Sequence, residues 1–183
     1  MIRKPVVAGT FYPNDSDELI QTIQNCFTHK FGPNQTIPKK DIEQIFGIIC
    51  PHAGYMYSGP IASHSYYEIS AQEIDLAIIV GPNHLAIGSK IATMTDAKWE
   101  TPLGISEVDS ESSNELMDMA DNIEQDYFSH SKDHSLEVQI PFLQETFPTN
   151  LKILPIIMAK QDIDAAIEVG NAISHIAKSR KTM

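Results

Sequence analysis

Residues 48–60 of the chain read Ile-Ile-Cys-Pro-His-Ala-Gly-Tyr-Met-Tyr-Ser-Gly-Pro. An apolar run in this stretch ends at a proline, His52 follows at once, and a glycine- and tyrosine-rich turn leads into a predicted helix. Residues 76–84, Leu-Ala-Ile-Ile-Val-Gly-Pro-Asn-His, repeat the plan, with His84 just past a second apolar run. Two histidines at matched positions after two predicted strands are the feature around which the fold is interpreted.

The two apolar runs, residues 45–50 and 74–80, are interpreted as parallel buried strands of one βαβ unit with a right-handed crossover. Residues 99–104 are typical of a loop. Further strands are predicted at 91–95 and 151–158, and helices at 16–30, 58–69, 110–121, 136–147 and 162–176. The last helix is predicted to bury the face formed by Ile163, Ala166, Ile167, Gly170, Ile173 and Ile176. Alternating strands and helices indicate a single three-layer α/β fold with a mostly parallel central sheet.

Composition narrows the classes of function. The 183 residues include 13 Lys and Arg against 24 Asp and Glu, a formal net charge of −11. Because phosphate-binding surfaces need clustered basic residues, neither nucleic acid nor an anionic membrane surface is expected as a partner. Two cysteines are too few for a disulfide scaffold. No signal peptide or membrane-spanning run is recognised, so a cytoplasmic location is expected.

His52 and His84 are the candidate metal ligands. Ligands of open parallel α/β sheets bind beyond the carboxyl ends of the strands, so both side chains are expected at the same edge. Imidazole is a common neutral ligand that iron, zinc and copper all accept. Either histidine alone is more simply explained as a local hydrogen-bonding residue, and Cys50 as a buried strand cysteine rather than a ligand. The matched positions of the two histidines favour a shared divalent-metal site.

Four other residues have both a chemical and a structural explanation. Asn83 can hold a substrate oxygen or simply form a turn. His134 precedes a predicted helix whose dipole disfavours imidazolium, so it can act as a base or as a cap. Glu137, one helical turn later, can orient His134, ligate the metal or remain a solvated acid. Tyr55 either lines a substrate pocket or packs beneath the turn.

Four ordered motifs cover nearly the whole chain: RKPVVAGTFYP at residues 3–13, PHAGY at 51–55, GPNH at 81–84 and DHSLEVQIPFL at 133–143. Together they resemble the Memo family (mediator of ErbB2-driven cell motility), in particular its prokaryotic-type members. That family is similar in fold to the LigB-type class III extradiol dioxygenases, which hold non-haem iron with two histidines and a carboxylate and use a further histidine as acid and base.

The resemblance implies that His52 and His84 ligate the metal and that His134 is the pocket histidine. It also implies that residues 1–183 form a single Memo-like α/β domain without the family's C-terminal part, where the third ligand lies. Prokaryotic members are often grouped with a radical-SAM protein and an AMMECR1-like protein, which are therefore expected partners.

The leading hypothesis is a metal-binding protein with non-haem iron, or copper, that performs redox or dioxygenase-like chemistry on a small substrate. In this hypothesis His134 moves the proton, Glu137 orients it, and Asn83 and Tyr55 contact the substrate. The alternative is a non-catalytic module that binds a peptide or small ligand in the same histidine-lined pocket. A zinc hydrolase is a third interpretation, which requires three ligands and an open position.

Overall fold

The computed structural model of the protein describes residues 1–40, 44–148 and 151–183. The strands within these ranges are β1 (Ile2–Arg3), β2 (Leu76–Pro82), β3 (Ile91–Thr93), β4 (Lys98–Thr101), β5 (Gly104–Glu107), β6 (Ile123–Gln125) and β7 (Lys152–Met158). The helices are α1 (Ser16–Thr28), α2 (Tyr55–Ile69), α3 (Ser110–Met119), α4 (Tyr127–His130), α5 (Ile140–Thr146) and α6 (Ile163–Ile176), and a 3-10 turn covers Glu137–Gln139. No helix of these described residues is both long and apolar enough to cross a membrane.

The central sheet has the strand order β2-β7-β3-β6. β2 and β7 pair in parallel along their whole length, from Leu76 opposite Lys152 to Pro82 opposite Met158. β3 pairs in parallel with β6 but antiparallel with β7. The predicted α/β class is therefore confirmed, and two of the three pairings in this mixed sheet are parallel.

Helices cover both faces of the central sheet. Because successive side chains of a strand point to opposite faces, Ala77 and Ile79 of β2 pack into a core shared with α1, α2 and α5. Leu76 and Ile78 pack instead with α3 and α6. The side chains of β2 and β7 thus alternate between two cores, one on each face of the sheet. The sheet and the helices on its two faces form the three layers that the sequence predicts.

A small second sheet corrects the prediction of a loop over residues 99–104. β1, β4 and β5 pair side by side, and β4 and β5 form an antiparallel hairpin. Trp99 is buried in β4, and Gly104 accommodates a φ of 123° where the hairpin reverses. The sequence pattern did not predict this hairpin because its strands have only four residues each and Pro102 lies between them.

The predicted strand at residues 45–50 is wrong, and with it the predicted βαβ unit. Residues 44–52 have no regular secondary structure, and Ile49 is 95% exposed. A strand at residues 45–50 would have to pair with the edge of β2 that faces away from β7. There Met183 donates its backbone N–H to the Leu76 carbonyl and accepts from the Ile78 N–H, so residues from the other end of the chain occupy the amino half of that edge.

The predicted buried face of the last helix is wrong except at Ile176, which is buried, and at Ile173, which packs partly buried against the same core. The side chains of α6 that face the sheet are Ala165, Val169, Ala172 and Ile176. Ile163 is 71% and Ile167 is 54% exposed. Both faces of α6 contain apolar residues at helical spacing, so periodicity could not distinguish them.

Candidate metal centre

Three histidines from separate parts of the chain meet beyond the carboxyl end of β2. His52 precedes α2, His84 follows β2, and His134 precedes the 3-10 turn. The ligand atoms of the three side chains all lie within 4.8 Å of one another. The ring centroids of His84 and His134 are 4.5 Å apart with nearly parallel planes, and those of His52 and His84 are 5.1 Å apart. The predicted meeting of His52 and His84 is thus present, and His134 joins them.

Backbone contacts place His52 although its segment has no strand. The Gln139 side-chain amide donates to the Pro51 carbonyl (3.1 Å) immediately before His52. The helix α2 begins at Tyr55, earlier than the predicted start at residue 58, and the Tyr55 N–H donates to the Phe11 carbonyl (2.7 Å). These contacts fix the chain on both sides of the histidine.

Asp133 holds His84. One carboxylate oxygen of Asp133, Oδ2, accepts from the backbone N–H of His84 (2.7 Å) and lies 3.0 Å from His84 Nδ1. The other, Oδ1, accepts from the Ser135 N–H (2.7 Å). Burial raises the pKa of Asp133, but the hydrogen bonds from Ser135 and His84 outweigh it, and the net pKa is below the usual range. Asp133 is therefore an ionised carboxylate beside the cluster.

The electrostatic environment keeps two of the histidines neutral. Burial lowers the pKa of His52, and the neighbouring His84 lowers it further, against a smaller opposing effect of Asp133. The pKa of His134 is lowered by burial first and then by His84. A neutral imidazole has a free lone pair, which a metal or a proton can take.

An open cleft of about 870 Å³ adjoins His52 and His134. Its walls contain no charged side chain among the described residues. The Phe11 ring lies 4.8 Å from that of His134, and Met56 and Tyr57 are largely exposed at the rim. The remaining walls are Thr10 and residues 49–54. Such a cleft suits an uncharged or apolar group placed next to the histidines.

Two predicted substrate contacts are buried elsewhere. The Tyr55 ring packs against Phe142 in the core, and its hydroxyl donates to the Val138 carbonyl (2.7 Å). This is the packing alternative for Tyr55. Asn83 is also buried, and its side-chain amide donates to the Ile87 carbonyl (2.8 Å), as a turn residue does. Its Oδ1 atom is buried and has no hydrogen-bond partner within the part of the chain that the structure describes. Neither side chain forms a hydrogen bond with the three histidines.

Glu137 is fully buried, which excludes the alternative of a solvated acid. Its Oε2 atom lies 2.7 Å from Arg3 Nη1, and its Oε1 atom accepts from the Tyr12 hydroxyl (2.6 Å). The backbone N–H groups of Val6 and Val7 donate to the same carboxylate. With these donors around it, Glu137 anchors the N-terminal segment. The hydrogen bond to His134 that sequence reasoning considered is not among its contacts.

Sequence reasoning did not assign a role to Asp133 or to Arg3. The guanidinium of Arg3 donates to the backbone carbonyls of Asp133 (2.6 Å) and His130 (2.9 Å) as well as to Glu137. Arg3 therefore ties β1 to the loop that bears Asp133 and His134. An Asp-X-Ser turn directly before the predicted helix was the available signal for Asp133.

The donor set fits a first-row transition metal. Three imidazoles with an adjoining cleft can provide three ligands and leave positions open for another molecule, as catalytic zinc and iron sites do. Cys50 is outside this cluster, and burial raises the pKa of its thiol, which disfavours the thiolate that a metal requires.

Comparison with known proteins agrees with the family resemblance of the sequence motifs. A family model described as Memo-like protein matches residues 3–183. A MEMO1 family protein of Nitrosopumilus maritimus is 55% identical over 183 residues, which are all of this chain and 66% of that protein. One from Methanocaldococcus jannaschii is 46% identical over 97% of this chain and 64% of its own length, and one from Methanobrevibacter smithii is 44% identical over 94% and 62%. The chain thus spans slightly less than two thirds of the length of these curated relatives. It belongs to the Memo-like protein family.

Proposed function

We propose that the protein binds a divalent transition-metal ion through His52 and His84, at the cluster that these two residues form with His134. The observation that supports this most strongly is the convergence of three imidazole ligand atoms within 4.8 Å. The lowered pKa values of His52 and His134 add to it, since metal ligands must be unprotonated. The ordered buried carboxylate next to His84 resembles the outer contacts that usually accompany metal-bound histidines.

Iron is the metal we propose, with copper and zinc as the alternatives. A bound iron or copper ion would supply redox chemistry, whereas zinc would supply a Lewis acid. The residues of the chain would hold the ion, exclude water on the Phe11 side of the cleft, and accept a small organic molecule there. We infer dioxygenase-like redox chemistry on such a molecule from the Memo-type motifs and the apolar cleft.

His134 has one of two roles in this proposal. It is either the third ligand or the base that moves a proton in the cleft, as its lowered pKa allows. The variant His134→Ala separates the two, because loss of a ligand weakens metal binding strongly while loss of a base leaves it nearly intact. The same substitution at His84 is the reference for loss of a ligand.

A binding module that needs no metal is the second candidate. It is favoured by the large exposed apolar side chains at the cleft, Ile49 (95% exposed), Met56 (78%) and Tyr57 (79%). Exposed apolar groups beside a cleft are typical of protein- or peptide-binding surfaces. Partnership with a radical-SAM protein or an AMMECR1-like protein belongs to this proposal as well.

Calorimetric titration of metal-stripped protein tests the proposal. Fe(II), under anaerobic conditions, and Zn(II) are expected to bind with one ion per chain to the wild type, and His52→Ala and His84→Ala are expected to bind neither tightly. His175→Ala is the matched control, because His175 is an exposed residue of α6, in the helical layer on the opposite face of the central sheet. Wild-type protein that is folded but does not bind either ion would favour the metal-independent module.

A further inference from the structure

The contact between Asp133 and His84 determines which ring nitrogen of His84 is available. Asp133 is 3% exposed, and its Oδ2 atom lies 3.0 Å from His84 Nδ1. An ionised carboxylate can only accept hydrogen bonds, so Nδ1 must be the nitrogen that has the proton. In a neutral imidazole the lone pair is then on Nε2.

We propose that Asp133 is a positioning residue that holds His84 in the Nδ1–H tautomer and thereby presents Nε2 to His52 and His134 as a metal ligand. The inference rests on the proposed metal-binding function. It goes further by assigning a task to a residue that itself touches neither a metal nor a substrate. Metal-bound histidines commonly donate their second ring nitrogen to a carboxylate, and this fixes the tautomer and the ring orientation.

Asp133 is itself held from several directions, as a positioning residue must be. The Ser135 N–H donates to its Oδ1 atom (2.7 Å), and the backbone N–H of His84 donates to Oδ2 (2.7 Å). Arg3 donates to the Asp133 backbone carbonyl (2.6 Å). The carboxylate is therefore anchored to β1, to its own turn and to the end of β2.

A second contact keeps the Asp133 turn in register with β2. The Ser135 hydroxyl donates to the carbonyl of Pro82, the last residue of β2 (2.9 Å). His84 follows Pro82 by two residues. Asp133 and His84 are therefore both held at the carboxyl end of β2. Rotation of the His84 ring by a half-turn would break the Nδ1 contact without any replacement in the present geometry.

Nitrogen-15 NMR of metal-free protein labelled at histidine tests the tautomer directly. At mildly alkaline pH, the shifts of wild-type His84 are expected to show a protonated Nδ1 and an unprotonated Nε2. The variant Asp133→Asn is expected to shift the population towards the Nε2–H form, because the amide can donate to Nδ1. Zinc affinity of this variant, measured by calorimetry, is expected to fall roughly 10- to 100-fold, the usual cost of losing such a contact.

Asp126→Asn is the matched control, because Asp126 also accepts backbone N–H groups, those of Ser89 and Phe128, but forms no hydrogen bond with His52, His84 or His134. It is expected to leave the His84 shifts and the zinc affinity within about twofold of wild type. An Nε2–H tautomer of His84 in the wild type would overturn the inference, and this measurement needs no variant to fold. Unchanged shifts and affinity in folded Asp133→Asn would overturn it too.

The two proposals fail separately. If the wild type shows the Nδ1–H tautomer, and Asp133→Asn alters it, but neither protein binds metal, then Asp133 positions His84 and the metal-binding function is wrong. If the wild type binds metal and Asp133→Asn binds it equally well, the function stands and the positioning role is wrong.

Discussion

Arg3 of β1 and Glu137, in the 3-10 turn that follows His134, form a buried ion pair. Arg3 Nη1 lies 2.7 Å from Glu137 Oε2, and both side chains are at most 1% exposed. The guanidinium also lies over the Trp99 ring, with the central carbon 4.1 Å from the ring centroid. The pair thus connects β1, the hairpin of β4 and β5, and the loop that bears His134.

Glu137→Gln tests whether this carboxylate is structural. Removing one member of a buried ion pair leaves the other charge uncompensated, so we expect the free energy of unfolding to fall by about 3–5 kcal/mol. Chemical denaturation of the metal-free protein measures it. Glu100→Gln is the control, because Glu100 pairs with Lys4 at the surface and such pairs contribute at most about 1 kcal/mol. A stable Glu137→Gln protein that has lost only activity would indicate a catalytic role instead.

Burial of His130 is expected to make the folded protein less stable in acid. Its ring is fully buried, and burial followed by the charge of Arg3 lowers its pKa to about 3. Because the folded-state pKa is below the unfolded value, the unfolded state binds the proton first as the pH falls. Stability is therefore fully present above about pH 6.5 and is lost towards pH 3. The loss from this residue alone is about 2 kcal/mol between pH 7 and pH 5.

The variant His130→Phe removes this titration. We expect it to lose about 2 kcal/mol less than wild type between pH 7 and pH 5, whatever its stability at pH 7. Trp99→Phe, which alters packing at the ring that meets the edge of His130, is expected to lower stability equally at both pH values. An identical pH dependence in His130→Phe and wild type would show that this histidine does not titrate between the two states.

A substitution at Gly81 tests whether the loop that bears His134 must pack closely against the end of β2. A Cβ atom added there would lie 2.9 Å from Leu136 Cδ2 and 3.0 Å from Ser135 Oγ. We expect Gly81→Ala to cost about 1–3 kcal/mol of stability and to weaken metal binding, because the loop must move away from β2. Thermal unfolding and calorimetry measure the two effects.

Gly170→Ala is the matched control for Gly81→Ala. An added Cβ atom at Gly170, within α6, meets no atom of the described residues within 4 Å beyond the neighbouring backbone of its own helix. Alanine there is therefore expected to stabilise the protein by about 0.5–1 kcal/mol. Its metal affinity should equal that of wild type. Equal stability and affinity in Gly81→Ala and wild type would mean that this contact does not position the loop.

Much of the fold was predictable because β2, β7 and the longer helices have clear apolar patterns. The histidines His52, His84 and His134 were predictable from their places beside predicted elements and from the motifs around them. His52 is instructive, since its position was correctly anticipated although the strand before it does not exist. Two residues that are distant in sequence place this segment: Gln139 donates to the Pro51 carbonyl, and the Phe11 carbonyl accepts from the Tyr55 N–H.

Other features could not be predicted because they depend on long-range contacts. A glutamate in the first turn of a predicted helix is usually solvated, and only the arrival of Arg3 from a position 134 residues away makes Glu137 a buried partner. The inner face of α6 was ambiguous since both faces are apolar. Asp133 was overlooked because its partner, His84, is 49 residues away in the sequence.

The metal content of the protein tests the central claim most directly. Protein purified without oxygen is analysed for iron, copper and zinc, in the wild type, in His52→Ala and in His84→Ala, with His175→Ala as control. We predict about one metal ion per chain in the wild type and the control, and loss of that metal from both cluster variants with the fold retained. Metal-free wild-type protein that remains metal-free after incubation with each ion, or cluster variants that keep the metal, would contradict the account.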